Sequence, residues 1–349
     1  MKEILLPILM LCSFCVHAKQ WSVSNNPAIP AQFPDLNVAV NSSSVLNGDT
    51  LIIQGSGIAQ PATTINKSLT IIGPGFNPNK SDILVAKMSS ITIAVDNVQL
   101  IGLSFLGSGS HLFYNIVSGI QIKNCYFQFN NILPNSGFLG SKLRKTIINN
   151  CIFYGSGINL NNAPESSVMI SNCLSHYFGG VVGIVASNGQ LLVRNCTFKG
   201  GFLSSITNGV FKYCIFYSST NNSTFIQNCL FKKCLYFNLT NIPGQAASSG
   251  NLGNTYTDNI LSDPMFVAPG VANDQFNFTN FDYHLSPGSP AILTTAPFQL
   301  GIYGGGSTFS MTGEPFNSSI IRNFEILNPN APVNGNLNFN IHVTPPTTN

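Results

Sequence analysis

Apolar and polar positions along this chain repeat with the pattern apolar-x-Asn-Cys-x-Phe. Beyond Cys12 and Cys15 near the N-terminus, cysteines fall at Cys125, Cys151, Cys173, Cys196, Cys214 and Cys229, at successive intervals of 26, 22, 23, 18 and 15 residues, with a seventh at Cys234. Asn124, Asn150, Asn172, Asn195 and Asn228 precede five of them, and Tyr213 takes that place before Cys214. Two residues after the cysteine stand Phe127, Phe153, Phe198, Phe216 and Phe231, with Ser175 in the third repeat. Three residues before it stand Ile122, Ile148, Ile170, Val193, Phe211 and Ile226. The pattern continues upstream without cysteine, through Leu100-Ile101-Gly102-Leu103-Ser104-Phe105 and Ile71-Ile72-Gly73-Pro74-Gly75-Phe76, making eight repeats.

Parity turns this pattern into geometry. Inward residues of a straight strand recur at every second position. Here the apolar phase slips by one immediately before the cysteine, at the slot held by Asn or Gly in all repeats but one. Asn and Gly tolerate a left-handed backbone. Each repeat is therefore predicted as a strand, a one-residue bend and a second strand, with both strands facing one core. Stacking such units at about 4.8 Å makes a parallel coil, whose aligned Asn side chains are placed to hydrogen-bond from turn to turn. The seven cysteines from Cys125 to Cys234, all that a chain cleaved after Ala18 would keep, are expected as buried free thiols, because an odd count opposes a full disulfide set and the repeat places them in the core.

With these residues, the chain resembles the pectate-lyase-like superfamily of right-handed parallel β-helices, of the secreted bacterial type. The opening Gly48-Asp49-Thr50-Leu51-Ile52-Ile53 and Ile65-Asn66-Lys67-Ser68-Leu69-Thr70-Ile71-Ile72-Gly73 resembles the family's first coils. The closing Ser262-Asp263-Pro264-Met265-Phe266, Tyr283-His284-Leu285-Ser286-Pro287-Gly288-Ser289-Pro290-Ala291 and Gly301-Ile302-Tyr303-Gly304-Gly305 resembles its last. The likeness spans residues 36–305 and implies an all-β solenoid with Asn and Cys stacks. Lyases, hydrolases and adhesins share this fold, so the resemblance implies no single reaction.

Three regions are expected. Residues 1–18 read as a cleaved signal peptide: Lys2, an apolar run from Ile4 to Val16, and Ala18 at the cut. Residues 19–312 form the coil. Residues 313–349 form a capping strand, Leu337–Val343, and a tail. The expected location is outside the cell or in its envelope, and no later apolar run has the roughly 20 residues of a membrane span. Charged residues make up only 8% of the chain and net charge is +3, which implies no general affinity for nucleic acid.

Carboxylates are scarce where family enzymes need them. Between Asp96 and Asp258 the only acidic residue is Glu165. Neither a calcium-binding cluster nor a pair of catalytic carboxyls can be assembled on the central coils, so no metal, cofactor or catalytic residue is assigned. Asp49, Asp96, Asp258, Asp263, Asp274 and Asp282 read as turn residues. His111, His284 and His342 have no evident partner. What remains is a pair of polar ladders pointing outward. Two before the cysteine stand Lys123, Asn149, Ser171, Arg194, Lys212 and Gln227; three after it stand Gln128, Tyr154, His176, Lys199, Tyr217 and Lys232. Amides, rings and cations suit a glycan, cations especially an anionic one. The candidate glycan-binding residues are Lys123, Tyr154, His176, Arg194, Lys199, Lys212, Tyr217 and Lys232, with Ser141–Lys145 as a loop beside them. The primary expectation is a binding, adhesive or structural β-helix whose partner is an extracellular or cell-surface polysaccharide. The alternative is a metal-independent polysaccharide lyase acting on a uronate-containing glycan. There Lys199, Lys212, Tyr217 or His176 would abstract the proton and Arg194 would neutralise the carboxylate.

Overall fold

The computed structural model describes residues 18–77, 84–107, 109–135, 140–160, 166–176, 184–186, 190–200, 203, 206–217, 225–239, 242, 250–270, 278, 280–295, 298–306 and 309–314, with the backbone of two further strands at 320–326 and 339–344. The predicted signal peptide up to His17, Glu165 and Asp274 lie outside these residues.

The chain is a parallel β-solenoid with three long sheets. The first has eleven strands, from Gln20–Val23 through Thr50–Ile53, Thr70–Ile72, Gln99–Ile101, Gln121–Lys123, Thr146–Asn149, Ser167–Ser171, Gln190–Arg194, Val210–Lys212 and Leu230–Lys232 to Thr255–Thr257. The second has nine, from Lys87–Met88 to Ile260–Leu261, and the third six, from Thr63–Ile65 to Ile184–Ala186. Beyond Ala186 only the first and second sheets continue among the described residues, which accounts for the short interval from Cys196 to Cys214.

The predicted left-handed bends are present except at Gly73, and two further ones fall at Lys233 and Asp258. Gly102, Asn124, Asn150, Asn172, Asn195, Tyr213, Lys233 and Asp258 all have positive φ, between 50° and 66°. Each joins a first-sheet strand to a second-sheet strand. The amide nitrogens of three of these asparagines reach the C-terminal segment: Asn124 Nδ2 donates to the Glu314 carbonyl (2.6 Å), Asn172 Nδ2 to those of Ile302 (2.8 Å) and Gly304 (2.7 Å), and Asn195 Nδ2 to that of Gln299 (3.4 Å).

The core is built from inward columns repeated turn after turn. Ring stacks include Phe105–Phe127–Phe153, with centroids 4.6 and 5.0 Å apart, and Phe211–Phe231–Tyr256, at 4.8 and 5.4 Å. All seven cysteines from Cys125 to Cys234 are free and buried. Their thiols bond locally: Cys151 Sγ donates to the carbonyls of Asn149 (3.3 Å) and Ile122 (3.6 Å). Burial raises the Cys151 pKa well above that of an ordinary thiol. In the last turn, Asn254 and Asn259 stand where the previous turn has Cys229 and Cys234. Each takes an N–H from that cysteine, at 2.9 and 2.7 Å, and so ends its column with a satisfied amide. At the other end, the helix Leu36–Asn41 buries Leu36, Ala39 and Val40 and is capped by Asp35, whose Oδ1 accepts from Val38 N at 2.8 Å.

One register expectation is corrected. Phe231 pairs with Phe211, and Lys232 with Lys212. Cys234, not Cys229, is therefore the equivalent of Cys214. Asn228-Cys229 belongs to the bend that opens the first-sheet strand, where Gln227 bridges Thr207 and Leu252. Ser141–Lys145 is likewise not a loop: Lys142–Arg144 is a strand paired with Ile116–Ser118, and of these five residues only Arg144 and Lys145 are exposed. The tail strand is Phe339–Thr344, antiparallel to Ile320–Ile326. Among the described residues no helix is long and apolar enough to cross a membrane.

Candidate functional site

The two outward ladders have different fates. On the second sheet, the described residues of the C-terminal segment 263–313 lie across the outer surface. Phe281, Tyr283, Ile302 and Phe309 pack against Tyr126, Ile152, Tyr154 and Leu174. Three residues expected in solvent are consequently buried: Tyr154 (3% exposed), His176 (0%) and Lys199 (2%). His176 Nδ1 lies 2.9 Å from the Tyr283 hydroxyl, and Lys199 Nζ donates to the Pro269 carbonyl at 2.6 Å, above the Phe281 ring. Tyr217 is partly covered, edge-on to Phe266, and burial raises its pKa, helped by the Asp263 carboxylate. These four residues point away from the coil core as predicted, but into a second hydrophobic layer.

The sequence carried a signal for this cover. The other outward column of the second sheet reads Tyr126, Ile152, Leu174, Thr197, Ile215 and Leu235. A mostly apolar outward column calls for a partner.

The first sheet has no segment covering its outer face among the described residues, although Ser171 on that face is buried. Its register aligns Lys123, Asn149, Ser171, Arg194, Lys212 and Lys232 in one column. Arg194 is exposed; Lys123, Lys212 and Lys232 are half-buried. Lys232 thus joins Lys212 and Arg194 on consecutive turns, rather than Tyr217 on the other sheet.

Beside this column runs a groove of about 590 Å³, within the ordinary size of a ligand cleft. Its floor is the column Ile147, Met169, Leu192 and Val210. One wall is formed by Lys145, Ser167, Gln190 and Asn208; Lys212 closes the opposite side. Lys145 turns the corner into the groove strand with a φ of 48°. Among the described residues that line the groove none is acidic, and the charged ones are Lys145 and Lys212.

Asp49, Asp96 and Asp263 cap turns or bends as expected, whereas Asp282 opens the strand Asp282–Leu285 and is not a turn residue. Asp263 Oδ1 accepts from Met265 N (2.7 Å), and Asp96 Oδ1 from Ser118 N (2.8 Å). Asp49 accepts from Lys19 N, Trp21 Nε1 and Leu46 N at 2.8, 2.8 and 2.9 Å, and these bonds help hold its pKa below the ordinary carboxylate value. Two histidines have partners the sequence did not reveal. His284 Nδ1 lies 2.6 Å from Asp282 Oδ1 and its ring stacks on Tyr303; His111 Nδ1 accepts from Asn131 N at 3.0 Å. Among the described residues no group of His, Cys, Asp and Glu is placed to hold a metal ion.

No protein-family model matches this chain, and no curated protein does.

Proposed function

We propose that this protein is an exported, right-handed β-helix that binds an extended anionic glycan along the outer face of its first sheet, without transforming it. The right-handed sense follows the strong general preference of parallel crossovers. The observation that carries the reading is the column Arg194, Lys212 and Lys232 beside a groove that no carboxylate lines among the described residues. Cations on successive turns lie about 4.8 Å apart, a spacing commensurate with one sugar unit per turn. The side-chain amides of Asn149, Gln190 and Asn208 suit sugar hydroxyls.

The lyase alternative has less support. It needs a base and a carboxylate-neutralising cation converging within a few ångström. Of the four candidate bases, His176 and Lys199 lie beneath the C-terminal segment and Tyr217 is partly covered by it; Lys212 alone shares the open column with Arg194.

The test is a binding screen of the full chain on uronate-rich, sulfated and neutral polysaccharides, read together with ultraviolet absorbance of an unsaturated product. Salt-sensitive binding without product is expected. Product formation would replace the reading with a lyase, and binding to none of the panel would reject it.

A further inference from the structure

The groove floor is aliphatic, and its extent is bounded. In register along the first sheet, one outward column reads Thr50, Thr70, Gln99 and Gln121, then Ile147, Met169, Leu192, Val210 and Leu230, then Thr255. Five consecutive aliphatic side chains, all half-buried, stand between Gln121 and Thr255. The neighbouring outward column is complementary. It reads Ile52, Ile72 and Ile101 in the first turns, and changes to Lys123, Asn149, Ser171, Arg194, Lys212 and Lys232 alongside the aliphatic strip.

Unlike the second sheet, this strip has no segment of the chain packed over it among the described residues; Ile147, Met169, Leu192 and Val210 form the floor of the groove, and Leu230 continues the strip by one turn. At about 4.8 Å per turn the five side chains span roughly 19 Å, a length suited to an extended long-chain acyl group. The floor carries no aromatic ring on which a sugar would stack. A flexible hydrocarbon chain fits a row of Ile, Met, Leu and Val side chains better than a rigid pyranose does. The cations alongside fit the acidic part of the same ligand.

We propose that the occupant of this groove is an acylated anionic glycan, a glycolipid in chemical class. Its hydrocarbon chain lies along Ile147, Met169, Leu192, Val210 and Leu230, and its acidic groups meet Arg194, Lys212 and Lys232. The proposal rests on the glycan reading above and adds the apolar half of the ligand.

The experiment uses the full chain and a matched pair of probes: a uronate oligosaccharide carrying one dodecyl chain, and the same oligosaccharide without it, both below the micellar range. A dodecyl maltoside probe reports hydrophobic adherence alone. The alkylated acid should bind more tightly than the plain acid by about tenfold or more, since each buried methylene strengthens association severalfold. In Met169→Asn/Leu192→Asn that advantage should vanish while binding of the plain acid persists. Leu230→Thr, at the end of the strip, should reduce the advantage in part and serves if the double variant melts early. Equal affinity for the two acidic probes would overturn the acyl assignment and leave glycan binding standing. Maltoside binding as tight as that of the alkylated acid would overturn the paired roles of strip and cations. Binding of neither acidic probe would reject the glycan reading itself.

Discussion

Lys212 and Lys232 are direct register partners on adjacent turns of the first sheet. That pairing decides the geometry of the candidate site. It places three cations, with Arg194, on consecutive turns of one open face. Counting cysteines in the sequence instead places Lys232 on the neighbouring sheet. The error has a physical source: Asn-Cys occurs at two kinds of bend. Asn228, with a φ of 53°, opens its first-sheet strand, whereas Asn195, with a φ of 50°, closes one. A left-handed bend followed by a small buried side chain is required at both corners.

Buried free thiols predict a simple labelling result. A thiol reagent should modify almost nothing in the native protein. After denaturation without reductant it should approach all seven thiols from Cys125 to Cys234. Fewer than half of these under denaturing conditions would mean disulfides.

The bends predict substitutions of opposite sign. Asn172 holds a φ of 51° and donates to two carbonyls, so Asn172→Val should cost about 1–3 kcal/mol in unfolding free energy. Lys233 occupies the same column with a φ of 50°, where an ordinary side chain is strained. Lys233→Gly should raise stability by up to about 1 kcal/mol. Chemical denaturation measures both; a destabilising Lys233→Gly would contradict the assignment of strain.

Ser175 interrupts the ring column between Phe153 and Phe198. Restoring the pattern is not expected to help. The space beside Ser175 is only about 20 Å³, room for about one water and far too little for a ring. Ser175→Phe should therefore destabilise the coil by about 1–3 kcal/mol through overpacking. An increase in melting temperature would show that the turn relaxes to admit the ring.

His111 predicts a component of acid sensitivity. Burial lowers its pKa below 6.5, and its Nδ1 accepts an N–H from Asn131, which requires an unprotonated nitrogen. The unfolded chain therefore takes up the proton first as pH falls. The stabilising contribution is complete above about pH 6.5 and is lost as pH drops from there through the folded pKa. His111→Gln should flatten this part of the stability profile; an unchanged profile would assign the acid sensitivity elsewhere.

The fold was legible because a solenoid writes its geometry into its repeat. The parity slip at Asn150 and Asn172 marks bends that the structure places at positive φ. The site was legible only in part. Alternation separates inward from outward residues, but it cannot say whether a distant segment covers the outward ones. His176 and Lys199 were read as solvent-facing because the residues above them, Tyr283, Phe281 and Pro269, come 70 or more positions later in the chain. The apolar column from Tyr126 through Ile152 and Leu174 was the available warning.

The most direct test compares two charge removals. Arg194→Ser/Lys212→Ser/Lys232→Ser acts on the open column, and Lys199→Ala acts beneath the C-terminal segment. Binding of a uronate polysaccharide should be measured by titration calorimetry at low and physiological salt, with melting temperature as the control for folding. The triple variant should fold normally and lose most of its affinity. Wild-type binding should weaken with salt as screening shortens to about 8 Å. Lys199→Ala should melt earlier yet bind normally while folded. Undiminished, salt-insensitive binding by a folded triple variant would contradict the assignment of the first-sheet face.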